Sequence, residues 1–351
     1  MLFLNFLRDE IRTGLEKTDS VYRVKHARWI AGQQAADGGF RNRRGNTELY
    51  YTTFGLRSLS ALNGLTPDIA GNASRYLLSI RQNTQHSFGD AVSAASWWDA
   101  LALCEEVLGP CFSDNEREQT SDHTIQLLGK LHRDDGGWAK TSMEGNASLY
   151  HTFLALCAYQ RMNRPLPEVS RIEKFLSSMA HMDGGFLENR YSKKPGTNGT
   201  AAGIALSLML QTQTLLGRMA LGAGLQQKLQ PWIAKHLTTY GAKSPVYQAL
   251  LQPWIAKHFT THVAFIRRMH CREEGGFMAT PSAPVADLLS TYTALFTLKN
   301  LGQTDVQIHV RALQYARSLE DSEGGYVGFL LETMPDCEYT FYGLGVESIS
   351  T

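Results

Sequence analysis

Five short stretches place an acidic residue or its neighbour before two glycines and an aromatic: DGGF (Asp37–Phe40), DDGGW (Asp134–Trp138), MDGGF (Met182–Phe186), EEGGF (Glu273–Phe277) and SEGGY (Ser322–Tyr326). The second glycines are Gly39, Gly137, Gly185, Gly276 and Gly325, spaced by 98, 48, 91 and 49 residues. One unit is therefore 48 or 49 residues long. The gap of 98 spans two units, with a degenerate copy, HSFGD (His86–Asp90), near its middle. The gap of 91 is one unit plus an insertion. A repeat of this period governs the whole fold, because each unit hides its apolar face only against its neighbours.

Each unit has one amphipathic segment before the glycines, such as VYRVKHARWIAGQQ (Val21–Gln34), and a more apolar one after them, such as ELYYTTFGLRSLSAL (Glu48–Leu62). Apolar residues recur at three and four in both, the helical period. The glycine pair marks the turn, where positive φ is cheap. Each unit thus reads as a helical hairpin. Six hairpins can stack into an open superhelix or close into a ring. The second helices, among them AASWWDALAL (Ala94–Leu103) and STYTALFTL (Ser290–Leu298), are apolar nearly all round. A helix of that kind is buried. The expectation is an all-α, α/α toroid of six hairpins, second helices inside and first helices outside, as one domain over residues 1–351.

Residues 1–18 read as an N-terminal helical extension, with Leu2, Phe3, Phe6, Leu7 and Ile11 on one face, docked on the body or touching a membrane. They lack the basic start and small-residue cleavage site of a signal peptide. Residues 216–250 form the insertion between the fourth and fifth hairpins. LQPWIAKHLTT (Leu229–Thr239) returns as LQPWIAKHFTT (Leu251–Thr261), a 22-residue offset that reads as a local duplication or an error in the sequence. No apolar run reaches the length of a transmembrane segment. The net charge of +1 gives no hint of a nucleic-acid partner. Five scattered cysteines without a CxxC pair argue against a disulfide framework. A cytoplasmic protein is expected.

Glycine pairs followed by an aromatic at this period resemble the prenyltransferase and squalene-cyclase repeat superfamily, and the resemblance covers nearly the whole chain. Gly38–Gly64 is similar to the last repeat of Rab-type prenyltransferase β subunits, SWWDALAL (Ser96–Leu103) to the repeat that follows a zinc-ligand pair, and LYHTFLAL (Leu149–Leu156) to the one that supplies a zinc histidine. A single toroid looks most like a protein prenyltransferase β subunit. The resemblance implies an isoprenoid or prenyl diphosphate as ligand, magnesium if a diphosphate binds, and a helical α subunit or a homodimer as assembly. The zinc ligands depart from the pattern. Val92 and Ala94 stand in the Asp and Cys slots, and only His151 remains. Zinc needs three protein ligands, so no zinc site is expected.

Candidate chemistry rests on a few residues. Asp99 follows the tryptophan pair in an apolar helix and must be paired or protonated. His151 on the next inner helix is its expected partner, as an acid–base or structural pair. Asp336 precedes Cys337, which resembles the acid of oxidosqualene cyclases, with the carboxyl held neutral by an apolar cavity and Glu338. Capping of the sixth inner helix is its alternative role. Tyr51, Trp98, Tyr150, Tyr292 and Tyr339 are expected to face the cavity, where aromatic faces suit apolar chains and carbocations. Arg41, Arg43 and Arg44 on the first rim turn are the expected diphosphate contacts. ENRYSKK (Glu188–Lys194) is a second basic turn, and MATPSAPVADLL (Met278–Leu289) has no basic residue. The expected function is a zinc-free prenyltransferase-like or terpene-cyclase-like enzyme. The alternatives are a non-catalytic scaffold and a zinc-dependent prenyltransferase β subunit.

Overall fold

A computed structural model describes residues 2–82, 89–218 and 259–350. Most of the insertion and its repeated segment lie outside the described residues, as do His86–Phe88 of the degenerate copy. The chain opens with α1 (Phe3–Leu15). Hairpins follow: α2 (Ser20–Ala31) with α3 (Leu49–Ala61), α4 (Pro67–Gln82) with α5 (Ala91–Leu108), α6 (Asp114–Leu131) with α7 (Leu149–Arg161), α8 (Val169–Ser178) with α9 (Thr197–Arg218), α10 (Thr260–Arg268) with α11 (Leu288–Asn300), and α12 (Val306–Ser318) with α13 (Cys337–Ser350). The only strands among the described residues, β1 (Phe277–Met278) and β2 (Ala286–Asp287), pair antiparallel within one turn.

The odd-numbered helices from α3 to α13 pack each on the next, and α13 packs back on α3. The ring is closed, and the even-numbered helices surround it. The glycine pairs make the joints. At Gly38, Gly136, Gly184 and Gly275, φ is between +90° and +96°, and a Cβ there would stand 2.0–2.7 Å from a backbone oxygen of the next outer helix. At the second glycine of each pair a Cβ would strike an aromatic ring of that same helix: Tyr76, Phe175, Phe265 and Tyr315. The last pair does this to the first unit. Gly324 and Gly325 press on Trp29 of α2, and Gly325 N donates to His26 Nδ1 at 3.1 Å. The joint that links neighbours therefore also closes the circle.

The aromatic after each pair turns inward and is fixed by a threonine on its own inner helix. The backbone N–H of Phe40, Trp138, Phe186, Phe277 and Tyr326 donates to Oγ1 of Thr52, Thr152, Thr200, Thr291 and Thr340 at 2.8–3.0 Å. Each hydroxyl in turn donates to the carbonyl four residues back. A buried turn N–H is thereby satisfied in five of the six units. Four residues before the threonine lies the start of the inner helix, where Ser148 and Asp287 cap α7 and α11 through their side chains. Asp336 occupies this slot in the last unit and accepts Tyr339 N at 2.8 Å.

Helix α1 crosses the end of the ring where the inner helices finish. Phe3 N donates to Gln160 Oε1 at 3.1 Å, Arg8 pairs with Glu106 at 2.5 Å, and Glu10 pairs with Lys299 at 2.8 Å. These partners belong to the last turns of α7, α5 and α11. Gly14 lets α1 lie against α13, since a Cβ there would sit 2.0 Å from Ser348 O. The apolar face of α1 is buried. No described helix is long and apolar enough to cross a membrane.

Thr291→Val keeps the shape of the side chain and strips the acceptor from a buried N–H. The expected loss in urea unfolding is about 1–3 kcal/mol. The exposed Thr304→Val control should change stability by less than about 0.5 kcal/mol.

Candidate functional site

The ring encloses a cavity of about 490 Å³, lined by all six inner helices and by Phe3, Leu4, Phe6 and Leu7 of α1. Counting from the threonine of each unit explains which side chains reach it. Two residues before it stand Tyr50, Tyr150, Asn198, Leu289 and Glu338; one and two residues after it stand pairs such as Thr53–Phe54, Phe153–Leu154, Tyr292–Thr293 and Phe341–Tyr342. These offsets follow one face of a 3.6-residue helix. Val92, Ala95 and Ser96 hold the same offsets in the second unit, whose threonine slot is Ala94. Five residues past the threonine, Arg57 and Phe296 line the inner end, near α1. Phe3 meets Phe153 edge-on at 5.2 Å, and Phe6 meets Phe296 at 5.8 Å, so α1 forms the floor.

The mouth carries two carboxyls. Glu338 lines the cavity and accepts the Tyr50 hydroxyl at 2.7 Å. Burial, with Asp336 and Glu332 nearby, pushes its carboxyl up to about 7 against the pull of Tyr50 and Arg43. Glu188 lines the cavity from a rim turn and accepts Tyr150 N at 3.2 Å; burial raises its carboxyl too. Neither residue stands out by sequence type alone. The signal that finds Glu338 is its place two residues before Thr340.

The expected site residues separate. Tyr150 and Tyr292 line the cavity; Tyr51, Trp98 and Tyr339 do not. One residue turns a helical side chain by about 100°, so Tyr50 takes the inward place that Tyr51 was expected to hold. Trp98 points outward into the wall, where its Nε1 donates to Thr124 Oγ1 of α6 at 3.0 Å. Tyr339 lies at the rim beneath the Arg43 guanidinium, 5.1 Å away.

Asp99 does not meet His151. It is held by Arg57 on one side, Nε to Oδ2 at 3.0 Å, and by Arg161 on the other, Nε to Oδ1 at 2.9 Å. Burial alone would raise its carboxyl, but the two guanidiniums outweigh this and hold it down at about 2. It is an ionised member of a buried triad and holds no proton to give. His151 instead shares a 2.8 Å hydrogen bond with Ser148 at the start of its own helix. Asp336 binds Arg43 Nε at 2.6 Å besides capping α13. Burial raises its carboxyl, while Tyr339 N and Arg43 oppose the shift. Arg43 spends its other nitrogens on Glu332, at 2.8 and 3.1 Å. Arg41 donates to Gly32 O at 3.2 Å, and Arg44 is exposed. The three arginines thus do not converge on a phosphate site.

Val92 and Ala94 stand in the slots where the resemblance places two zinc ligands, and among the described residues no three His, Cys, Asp or Glu side chains gather as a metal site.

A closed ring of six hairpins around an apolar cavity defines an α/α toroid. The family model described as the prenyltransferase alpha-alpha toroid domain matches residues 10–81, 74–249 and 232–350, and the chain belongs to that family. No curated protein sequence matches it. Among solved structures it is similar to Candida albicans protein geranylgeranyltransferase-I complexed with GGPP, at 14% identity over 93% of this chain and 90% of that one, with a TM-score of 0.54. It is also similar to the type II terpene cyclase MstE from Scytonema, at 15% identity over 99% of this chain and 98% of that one, TM-score 0.54. A variant of MstE in complex with geranylgeranyl dihydroxybenzoate matches at 15% identity over 99% and 96%, TM-score 0.52. At such identities the likeness is one of fold.

Asp99→Asn leaves two buried guanidiniums with no counter-charge, and the expected cost is about 3–5 kcal/mol in denaturant unfolding at pH 7. The depressed carboxyl adds stability that is complete above its unfolded value and fades as pH falls toward about 2. The wild type should therefore lose this advantage over Asp99→Asn in acid. His151→Ala should cost about 1 kcal/mol or less.

Proposed function

We propose that the chain is a zinc-free enzyme that binds an isoprenoid in the central cavity and acts on it by proton transfer from Glu338. The observation that carries this reading is a carboxyl at about 7 in the mouth of an apolar cavity. A carboxyl raised that far keeps its proton in a large share of molecules at neutral pH and still gives it up, as a general acid must. Its neighbours are the rings of Tyr50, Phe54 and Tyr342, whose faces favour a developing cation. The proton would pass from the carboxyl to an alkene carbon or an epoxide oxygen. The product cation would return a proton to the carboxylate left behind or to Glu188. Among the similar structures, the terpene cyclase is complexed with a geranylgeranyl compound and the geranylgeranyltransferase with GGPP. The shared fold supports an isoprenoid here, and this chain's own residues favour the acid-driven chemistry over transfer from a diphosphate. Arg43 is already committed to two carboxylates, and Arg41 and Arg44 stand on an outer turn.

The test combines native mass spectrometry and product analysis with farnesyl, geranylgeranyl and squalene-type ligands. The wild type should retain a ligand without zinc and turn it over. Turnover should fall as pH rises through about 7, where Glu338 loses its proton. Glu338→Gln should retain the ligand and lose about 100-fold or more in kcat. Unchanged turnover in that variant would remove Glu338 from the chemistry. One bound zinc with a helical partner would restore the protein prenyltransferase, and no ligand at all would leave a scaffold.

A further inference from the structure

The inner end of the cavity holds two hydrogen-bonding groups with nothing to bond. Tyr292 lines the cavity and is 1% exposed, and its hydroxyl is buried without a hydrogen-bond partner. Arg57 gives Nε and Nη2 to Asp99 and leaves Nη1 uncommitted. The two side chains flank one ring. The Arg57 guanidinium lies 5.3 Å from the centre of Phe341, and the Tyr292 ring lies 5.9 Å from it, edge-on. Charge adds to the case. Arg57, Asp99 and Arg161 together carry one net positive charge inside the ring, and the nearby Glu10–Lys299 pair adds none. An uncompensated buried charge and an unpaired buried hydroxyl both cost stability. A fold that keeps both against one ring in the wall of a cavity has a place for an anionic oxygen acceptor.

We infer that Arg57 and Tyr292 form a subsite for a single carboxylate, so that the ligand is an isoprenoid acid bound with its carboxylate at the floor and its hydrocarbon toward the mouth. The inference rests on the reading that the cavity takes an isoprenoid. A carboxylate balances the one net charge and accepts from both donors, and hydrogen bonds between ionised groups are the strong ones. A diphosphate brings at least twice that charge and finds no second cation facing the cavity at this end among the described residues. The geometry also sets the direction of the chain. Tyr50, which holds Glu338, and Arg57 are seven residues apart on α3, about 10 Å along its axis. An acid anchored at Arg57 would therefore present the far end of its chain to Glu338.

The probes are farnesoic acid, farnesol and farnesyl diphosphate, titrated into the full chain and followed by displacement of a fluorescent apolar dye. The acid should bind about tenfold tighter than the alcohol, the size of one hydrogen bond to a charged group. Tyr292→Phe removes a hydroxyl that has no partner, so it should fold with an unchanged or higher melting temperature. It should weaken the acid about fivefold to tenfold and leave the alcohol unchanged. Arg57→Gln should also bring the acid down to the affinity of the alcohol. Equal binding of acid and alcohol, or tighter binding of the diphosphate, would overturn the carboxylate subsite and leave the isoprenoid cavity standing. Failure of all three probes to bind would overturn both.

Discussion

The structure depends on a steric contact that only glycine permits. At each of the five glycine pairs the chain turns with positive φ while the backbone of the next outer helix comes within reach of where a Cβ would be. Any other residue would be strained by its own backbone and would also push the neighbouring unit away. Because an aromatic of the next outer helix fills the space over the second glycine, the spacing between units is fixed by contact and not by loop length. Five of the ring's six joints are fixed steps of this kind, and at the last of them Trp29 receives the final pair as Tyr76 receives the first. Closure is therefore local geometry repeated.

A closed ring of inner helices leaves a hole, and in five of the six units a threonine sets what fills it. The hydroxyl ties the turn to the helix and so fixes the rotation of that helix about its axis. Once rotation is fixed, the residues at fixed offsets from the threonine must face the axis. The hole is open at the helix starts and shut at their ends by α1, whose Phe3 and Phe6 enter the same aromatic cluster as Phe153 and Phe296. The depth of the cavity is thus set by a segment outside the repeat.

The repeat period and the helical phase could both be read from residue types and spacing, because each rests on local chemistry repeated several times. The direction of single side chains was harder. Tyr50 and Tyr51 are adjacent and identical, and aromatic content cannot choose between them. The threonine register could have done so, since Thr52, Thr152, Thr200, Thr291 and Thr340 recur at nearly constant distance from the glycines. Read from Thr340, Glu338 falls on the inward face and Asp336 on the helix cap. The pairing of Asp99 was not legible by such means. Its partners Arg57 and Arg161 come from the far halves of two other helices, and nothing in their local sequence marks them as facing inward.

Two carboxyls buried in one ring show how surroundings decide their chemistry. Both lose water, and for both that loss favours the neutral form. Asp99 gains two guanidiniums, and their attraction reverses the shift. Glu338 gains a phenol and the company of Asp336 and Glu332, with the Arg43 charge shared among them, and the shift stands. Exchanging the two environments would exchange the roles. An aspartate between arginines joins three inner helices through one buried ion network at the floor, whereas a glutamate beside a tyrosine has its carboxyl raised at the mouth. The difference between the closed and open ends of the cavity follows from which side chains come to stand beside each carboxyl.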